Sequence, residues 1–147
     1  MDADVELRPA SLADAAAIAG LSAQLGYPAS ADQIGTRLQR LLADPTRHGV
    51  WVASVDGLPA GWIHVLLGER IELAPFAEIA ALVIDADHRN HGLGARLVEA
   101  AVDWAQARQL PELRVRSNVI RADAHRFYQR HGFHGQKAQT VLIRPLG

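Results

Sequence analysis

The chain has 147 residues, 49% of them apolar and 21% charged, with a formal net charge of −1 and no cysteine. That composition fits a single ordinary globular domain, excludes disulfides, a thiol nucleophile and thiolate metal ligands, and offers no basic excess for a nucleic-acid face. Apolar runs stop at about six residues, where a membrane span needs ~20, and Asp2, Asp4 and Glu6 oppose the basic start of a secretory leader, so a cytoplasmic protein is expected.

Val5 to Arg8 reads as a short strand that ends at Pro9. Ser11 is a good N-cap for a first helix whose apolar positions include Leu12, Ala15, Ile18, Leu21 and Leu25. Gly26-Tyr27-Pro28 breaks it. Ser30 and Gln33 then make a capping-box pattern for a second helix, with Ile34, Leu38, Leu41 and Leu42 facing inward, and Asp44-Pro45 ends that one. Val50 to Val55 and Gly61 to Leu67 are β-rich runs joined at Asp56-Gly57, a hairpin signal whose connection is expected to exceed two residues.

Glu78 to Ile84 is apolar and too short for a helix, which suits a buried strand. A long helix reaches to about Arg108, with Leu93, Leu97, Ala101 and Trp104 on one face and Arg96, Glu99 and Asp103 on the other. A strand at Leu113 to Arg116, a helix from Arg121 to His131 and a last strand at Thr140 to Ile143 complete the order βααβββαβαβ. This is a mixed α/β chain with one central sheet, and no repeat or linker marks a second domain.

Between the Glu78 strand and the long helix lies Arg89-Asn90-His91-Gly92-Leu93-Gly94. A helix therefore begins inside a glycine-containing turn. Its first N–H groups have no intrahelical partners and carry the positive end of the helix dipole. Gly92 and Gly94 place no Cβ in the way of an anion, so the turn suits a phosphate, above all a pyrophosphate. The three-glycine dinucleotide fingerprint and the P-loop do not match, since the spacing is Arg-x-x-Gly-x-Gly and Lys137 is the only lysine.

That hexapeptide resembles motif A of the GNAT superfamily of N-acetyltransferases, which bind acetyl-CoA. About thirty residues on, His125-Arg126-Phe127-Tyr128-Gln129-Arg130-His131-Gly132-Phe133 resembles the superfamily's motif B, a helix that carries Phe-Tyr and closes on Gly-Phe. The helix stands on its own residues: Ala124, Phe127 and Tyr128 share a face, and Gly132 sits where a left-handed C-cap belongs. Two motifs in this order, bridged by a helix and a strand, imply a GNAT-like fold over the whole chain and an acetyl-CoA-dependent N-acetyltransferase.

Acetylating an amine requires removal of a proton from an ammonium, a donor for the oxyanion of the tetrahedral intermediate and a proton for the leaving thiolate. The resemblance supplies a candidate for each end of that sequence. Phe76-Ala77-Glu78-Ile79 is similar to the histone acetyltransferase branch, where a glutamate at this spacing from motif A is the base, which implies Glu78. Tyr128 matches the motif-B tyrosine that points at the CoA sulfur, which implies a proton donor. Leu82, Val83 and Ile84 are expected to bind the pantetheine arm through backbone groups, in the manner of an added strand. Arg89, Asn90, His91, Gly92, Leu93, Gly94 and Ala95 are expected around the pyrophosphate.

The pattern departs from the superfamily at one place. An asparagine commonly precedes the motif-B tyrosine by seven residues; Arg121 stands there, with Asn118 one turn earlier, and either is a candidate for the cofactor contact. The arrangement around them looks more like the aminoglycoside and aminoalkylphosphonate acetyltransferases and favours a small polar amine. Tyr27, Trp62 and His64 are candidates to line the acceptor pocket, with Trp62 and His64 on one strand face. His125 and His131 have no convincing partner, and no cluster at ligand spacing implies a metal. Two alternatives stand beside a small-amine acetyltransferase: a protein lysine or N-terminal acetyltransferase, and a non-catalytic acetyl-CoA sensor. The resemblance also implies a homodimer.

Overall fold

A five-stranded mixed sheet organises the chain in the computed structural model, which describes residues 4–89, 91–116 and 122–147. Strands β1 (Val5–Pro9), β2 (His48–Val55), β3 (Leu58–Gly68) and β4 (Phe76–Ile84) pair antiparallel in sequence order. Strand β5 (Leu113–Val115) adds to β4 in parallel after the crossover helix α3 (Leu93–Ala107). Such a parallel return needs a long connection, and α3 supplies it. Helices α1 (Ala15–Ala23) and α2 (Ala31–Leu42) lie between β1 and β2 in the chain, and α4 (Ala122–Arg130) follows β5. The chain forms two compact units, one ending at Val115 and the other starting at Arg116.

The first unit has helices on both faces of its sheet, and strand alternation decides which side chain meets which helix. Val50 and Val52 of β2 join Ile18 of α1 and Leu38 of α2 in one buried cluster, with Trp62 of β3 packed against it. On the other face Ile63 and Val65 are wholly buried, as are Leu97, Val98 and Ala101 of α3. Burying each such aliphatic side chain contributes about 1.5–3 kcal/mol. The predicted inward stripe Leu93, Leu97, Ala101 and Trp104 is buried throughout, between 0% and 7% exposed.

Local signals account for the element ends. The Ser30 hydroxyl accepts from Gln33 N at 3.0 Å, and Gln33 Oε1 accepts from Ser30 N at 3.0 Å, closing the capping box of α2. Asp14, only 4% exposed, accepts from Ser11 N at 2.8 Å and from both terminal nitrogens of Arg8 at 2.7 and 2.8 Å. The Arg8 hydrogen bonds hold the Asp14 carboxyl below the usual carboxylate range. This bidentate pair fastens the end of β1 to the start of the first helix.

Three expectations need correction. The hairpin connection is only Asp56-Gly57, because β3 begins at Leu58; both residues have positive φ, 51° and 85°, as a tight I′-type turn requires. The helix expected from Ser11 opens as a 3-10 turn, Leu12–Asp14, which leaves Leu12 half exposed instead of inward. Residues 140–143 form no strand: Val141, Leu142 and Ile143 are 74%, 89% and 82% exposed, so β propensity alone did not recruit a sheet partner.

Candidate active site

Strand β4 is paired along its whole length with β3 but meets β5 only over Ala77–Ile79. Among the described residues, no strand lies beside Ala80 to Ile84 on that edge. This is where Leu82, Val83 and Ile84 were expected to offer backbone groups. Their side chains serve packing: Val83 is 4% exposed, and a Cβ added to Gly61 would meet Ile84 Cδ1 at 2.8 Å and Leu97 Cδ1 at 3.4 Å. The ladder with β3 steps from Val65↔Ile79 to His64↔Ala81, so Ala80 is an extra residue in β4, a bulge.

The turn after β4 is pinned from two sides. Asp85 N donates to Ala60 O at 2.7 Å. The Gln24 amide, just past α1, donates to Asp85 Oδ1 at 3.2 Å and accepts from Ala86 N at 3.0 Å. His88 Nδ1 lies 3.0 Å from Asp85 Oδ2. The bonds from Gln24 and His88 hold the Asp85 carboxyl below its ordinary range. A 3-10 turn, Ala86–His88, then leads to exposed Arg89.

Helix α3 opens at Gly92, which has φ 79° and ψ 6°. Its first intrahelical bond runs from Arg96 N to Gly92 O at 3.2 Å. Helix geometry therefore leaves the N–H groups of Leu93, Gly94 and Ala95 without intrahelical acceptors. A Cβ built on Gly92 would meet nothing within 4 Å, so the space before this terminus is open. His91 is exposed beside it, while the Leu93 side chain, 1% exposed, anchors the helix in the core. An anion fits here on geometry and on the helix dipole.

Glu78 is half-buried in β4, opposite Leu66 of β3 and Arg114 of β5. Cross-strand partners share a face, so Glu78 stands on the sheet face of Leu66, His64 and Trp62. The structure thus brings Glu78, His64 and Trp62 onto one face. His64 Nε2 is 3.0 Å from His48 Nδ1 on β2. Burial, and then the neighbouring His48, push His64 down to about 4, so its ring is neutral near pH 7. Trp62 packs on the apolar cluster beneath α1 and α2, and its Nε1 is buried with no protein partner among the described residues.

Tyr27 lies 71% exposed in the connection between α1 and α2, three residues after Gln24. Tyr128 belongs to the second unit, on α4, where its ring meets Phe127 and Phe133 edge-on at 5.2 and 5.5 Å. Gly132, at φ 91°, closes that helix with Phe133 N donating to Tyr128 O at 3.0 Å. Asn90, Asn118 and Arg121 lie outside the described residues. Sequence reading missed His48, the Gln24–Asp85–His88 clasp and the Ala80 bulge. Apart from Asp85 and His88, three residues apart, only strand register and tertiary contact bring these together. Among the described residues no group of three or more His, Asp or Glu is placed to hold a metal, and no helix is long and apolar enough to cross a membrane.

The model of the acetyltransferase (GNAT) family matches residues 19–133. The chain belongs to this family. A relative from Methanocaldococcus jannaschii, described as an uncharacterised N-acetyltransferase, is 31% identical over 98 residues; the match spans 65% of this chain and 43% of that protein's length. Glucosamine-6-phosphate N-acetyltransferase from Arabidopsis thaliana shares the fold with a TM-score of 0.84 at 18% identity, over 95% of this chain and 98% of that one. The enzyme AAC(6')-Iy, solved with the bisubstrate analogue CoA-S-monomethyl-acetylneamine, gives 0.84 at 14% identity, over 97% and 99% of the two chains. The mixed five-stranded sheet flanked by helices is thus a GNAT fold, and the chain carries the domain of that family.

Proposed function

We propose that this acetyltransferase moves the acetyl group of acetyl-CoA to a primary amine of a small polar molecule, by direct attack of the amine on the thioester. The observation that carries the reading is the course of β4. One strand presents Glu78, then runs on along an edge that no strand among the described residues covers, and delivers the chain to the open N-terminus of α3 at Gly92. The coenzyme's pantetheine arm would lie along Leu82, Val83 and Ile84, and its diphosphate against Gly92 to Ala95 with Arg89 and His91 beside it. Asn90, Asn118 and Arg121 are proposed as further coenzyme contacts on the resemblance alone.

Glu78 is the proposed base, directly or through water, and Tyr128 the proposed donor to the departing thiolate. Tyr27, Trp62 and His64 are the proposed acceptor-side residues. Family membership, and a structural relative that holds a CoA bisubstrate analogue, support acetyl-CoA as co-substrate. A relative named for glucosamine-6-phosphate and an analogue built on acetylneamine support a polar amine acceptor. Use of acetyl-CoA fits a cytoplasmic location, and a homodimer is the proposed assembly.

An acetyl-CoA-consumption screen over sugar amines, aminoglycosides, polyamines and lysine or N-terminal peptides tests the whole reading. Turnover with small polar amines and not with peptides is expected. Turnover confined to peptides would make the chain a protein acetyltransferase. Tight acetyl-CoA binding with no turnover on any amine would make it a sensor.

A further inference from the structure

We propose that His64 and His48 form a proton relay that carries the proton taken up by Glu78 out to solvent, a role that rests on the amine-acetylating reading above. The two rings lie on adjacent strands, with His48 Nδ1 and His64 Nε2 3.0 Å apart and centroids 5.2 Å apart. Strand register connects them to the base. His48 and Glu78 both face Leu66, and His64 occupies the adjoining row between Val50 and Ala81. His64 is therefore the diagonal neighbour of Glu78 across β3 and β4. Diagonal positions on one face lie about 7–8 Å apart. A glutamate side chain and one bridging water span that gap.

A base that works in every turnover must also be emptied in every turnover. Glu78, third in β4, and His48, first in β2, are both half-buried, and His48 adjoins the exposed Arg47. Burial and the neighbouring His48 keep His64 neutral, with a pKa of about 4, so one of its ring nitrogens is free to accept. A neutral imidazole that accepts on one nitrogen and releases from the other moves a proton without holding a charge.

The steps balance. An ammonium N–H bond breaks as an O–H bond forms on Glu78. That O–H breaks, through the water, as the free nitrogen of His64 gains a proton. His64 gives up the proton on the nitrogen facing His48, and His48 releases the proton on its other nitrogen to solvent. One proton has left the amine and one has entered water. The pair ends in its opposite tautomer, and the rings must turn in their sites before the next proton can pass.

The first test needs no acceptor. In the full chain labelled with 15N, Glu78→Gln and His48→Gln are each expected to displace the ring-nitrogen resonances of His64. Unmoved resonances in either variant overturn the relay. The second test measures turnover with neamine and glucosamine-6-phosphate as probes. His64→Gln and His48→Gln should each lower kcat at least about tenfold, part of the 10²–10⁴-fold that positioned proton transfer contributes. The KM for acetyl-CoA should not change, and added imidazole should restore the rate. A loss that imidazole does not restore is structural and refutes the relay. If the wild-type chain acetylates neither probe nor any other amine, the acetylation reading fails, while the resonance test still decides whether the histidines communicate with Glu78.

Discussion

Replacing Gly92 with aspartate separates what this residue does for folding from what it is proposed to do for the coenzyme. Gly92 has φ 79°, and a Cβ there meets nothing within 4 Å, so strain and not collision opposes a side chain. A left-handed non-glycine residue costs about 1–2 kcal/mol, least for Asn and Asp. At roughly 2–4 °C per kcal/mol for a domain of this size, melting should fall by about 2–8 °C. The new carboxylate would stand at the open end of α3, where the diphosphate is proposed to bind. Two unit charges ~4 Å apart repel by about 1–4 kcal/mol as the effective dielectric falls from that of water to that of a protein surface. Acetyl-CoA affinity should then drop between roughly fivefold and nearly a thousandfold. Gly92→Ala carries at least as much strain without the charge and should bind acetyl-CoA within about threefold of wild type, a gap of less than ~0.7 kcal/mol. Calorimetric titration of both variants, with melting curves for each, gives the comparison. Wild-type affinity in a folded Gly92→Asp, or equal weakening in both variants, would refute a diphosphate at this terminus.

Glu78→Gln should lower activity most at low pH, where the acceptor is an ammonium, and recover partly as pH rises; a loss equal at every pH in the measured profile would reassign Glu78 to holding the amine. Tyr128→Phe should reduce kcat with little change in acetyl-CoA affinity, by about 10²-fold, and a loss under about threefold would end its role as proton donor. His64 ionises at about 4 in the fold and at 6.5 unfolded, so between those values the unfolded chain holds the extra proton. Stability should therefore fall by up to about 3 kcal/mol as pH drops through that window. The urea midpoint of His64→Gln should show a smaller acid loss, and an unchanged one would contradict this origin. Light scattering at assay concentration should give the mass of a dimer, and a monomeric mass would exclude it.

The sequence exposed the features whose causes are local. Ser30 and Gln33 announce the start of α2 because both partners of the capping box lie within one turn. The α3 stripe and the glycine turn before it are readable for the same reason, since helix periodicity and φ > 0 belong to single segments. Where tertiary pairing decides, the residues mislead or fall silent. Thr140 to Ile143 has the composition of a strand but forms no ladder. The β-rich run reads as beginning at Gly61, yet Pro59 already pairs with Ser54, next to an irregularity that places Gly61 opposite Ala53. His48 and His64 are sixteen residues apart, and only antiparallel register makes them touch. Glu78 stands out only through a family resemblance at its spacing from motif A, whereas its sheet face follows from pairing with Leu66.

The Ala80 bulge sets which face of the sheet the Glu78 carboxylate occupies. Side chains along a strand change sides at every step, so one extra residue lets Glu78 and Val83 share a face although five positions separate them. Were Ala80 removed, Ala81 opposite His64 and Ile79 opposite Val65 would become consecutive in a regular ladder, with Glu78 still opposite Leu66. The eleven residues from Glu78 to Arg89 therefore include one that the bulge takes out of the alternation, which keeps the carboxylate on the face of His64 and Trp62. In a regular strand of the same length Glu78 would stand on the opposite face, so the bulge and not the residue count decides which side the carboxylate occupies.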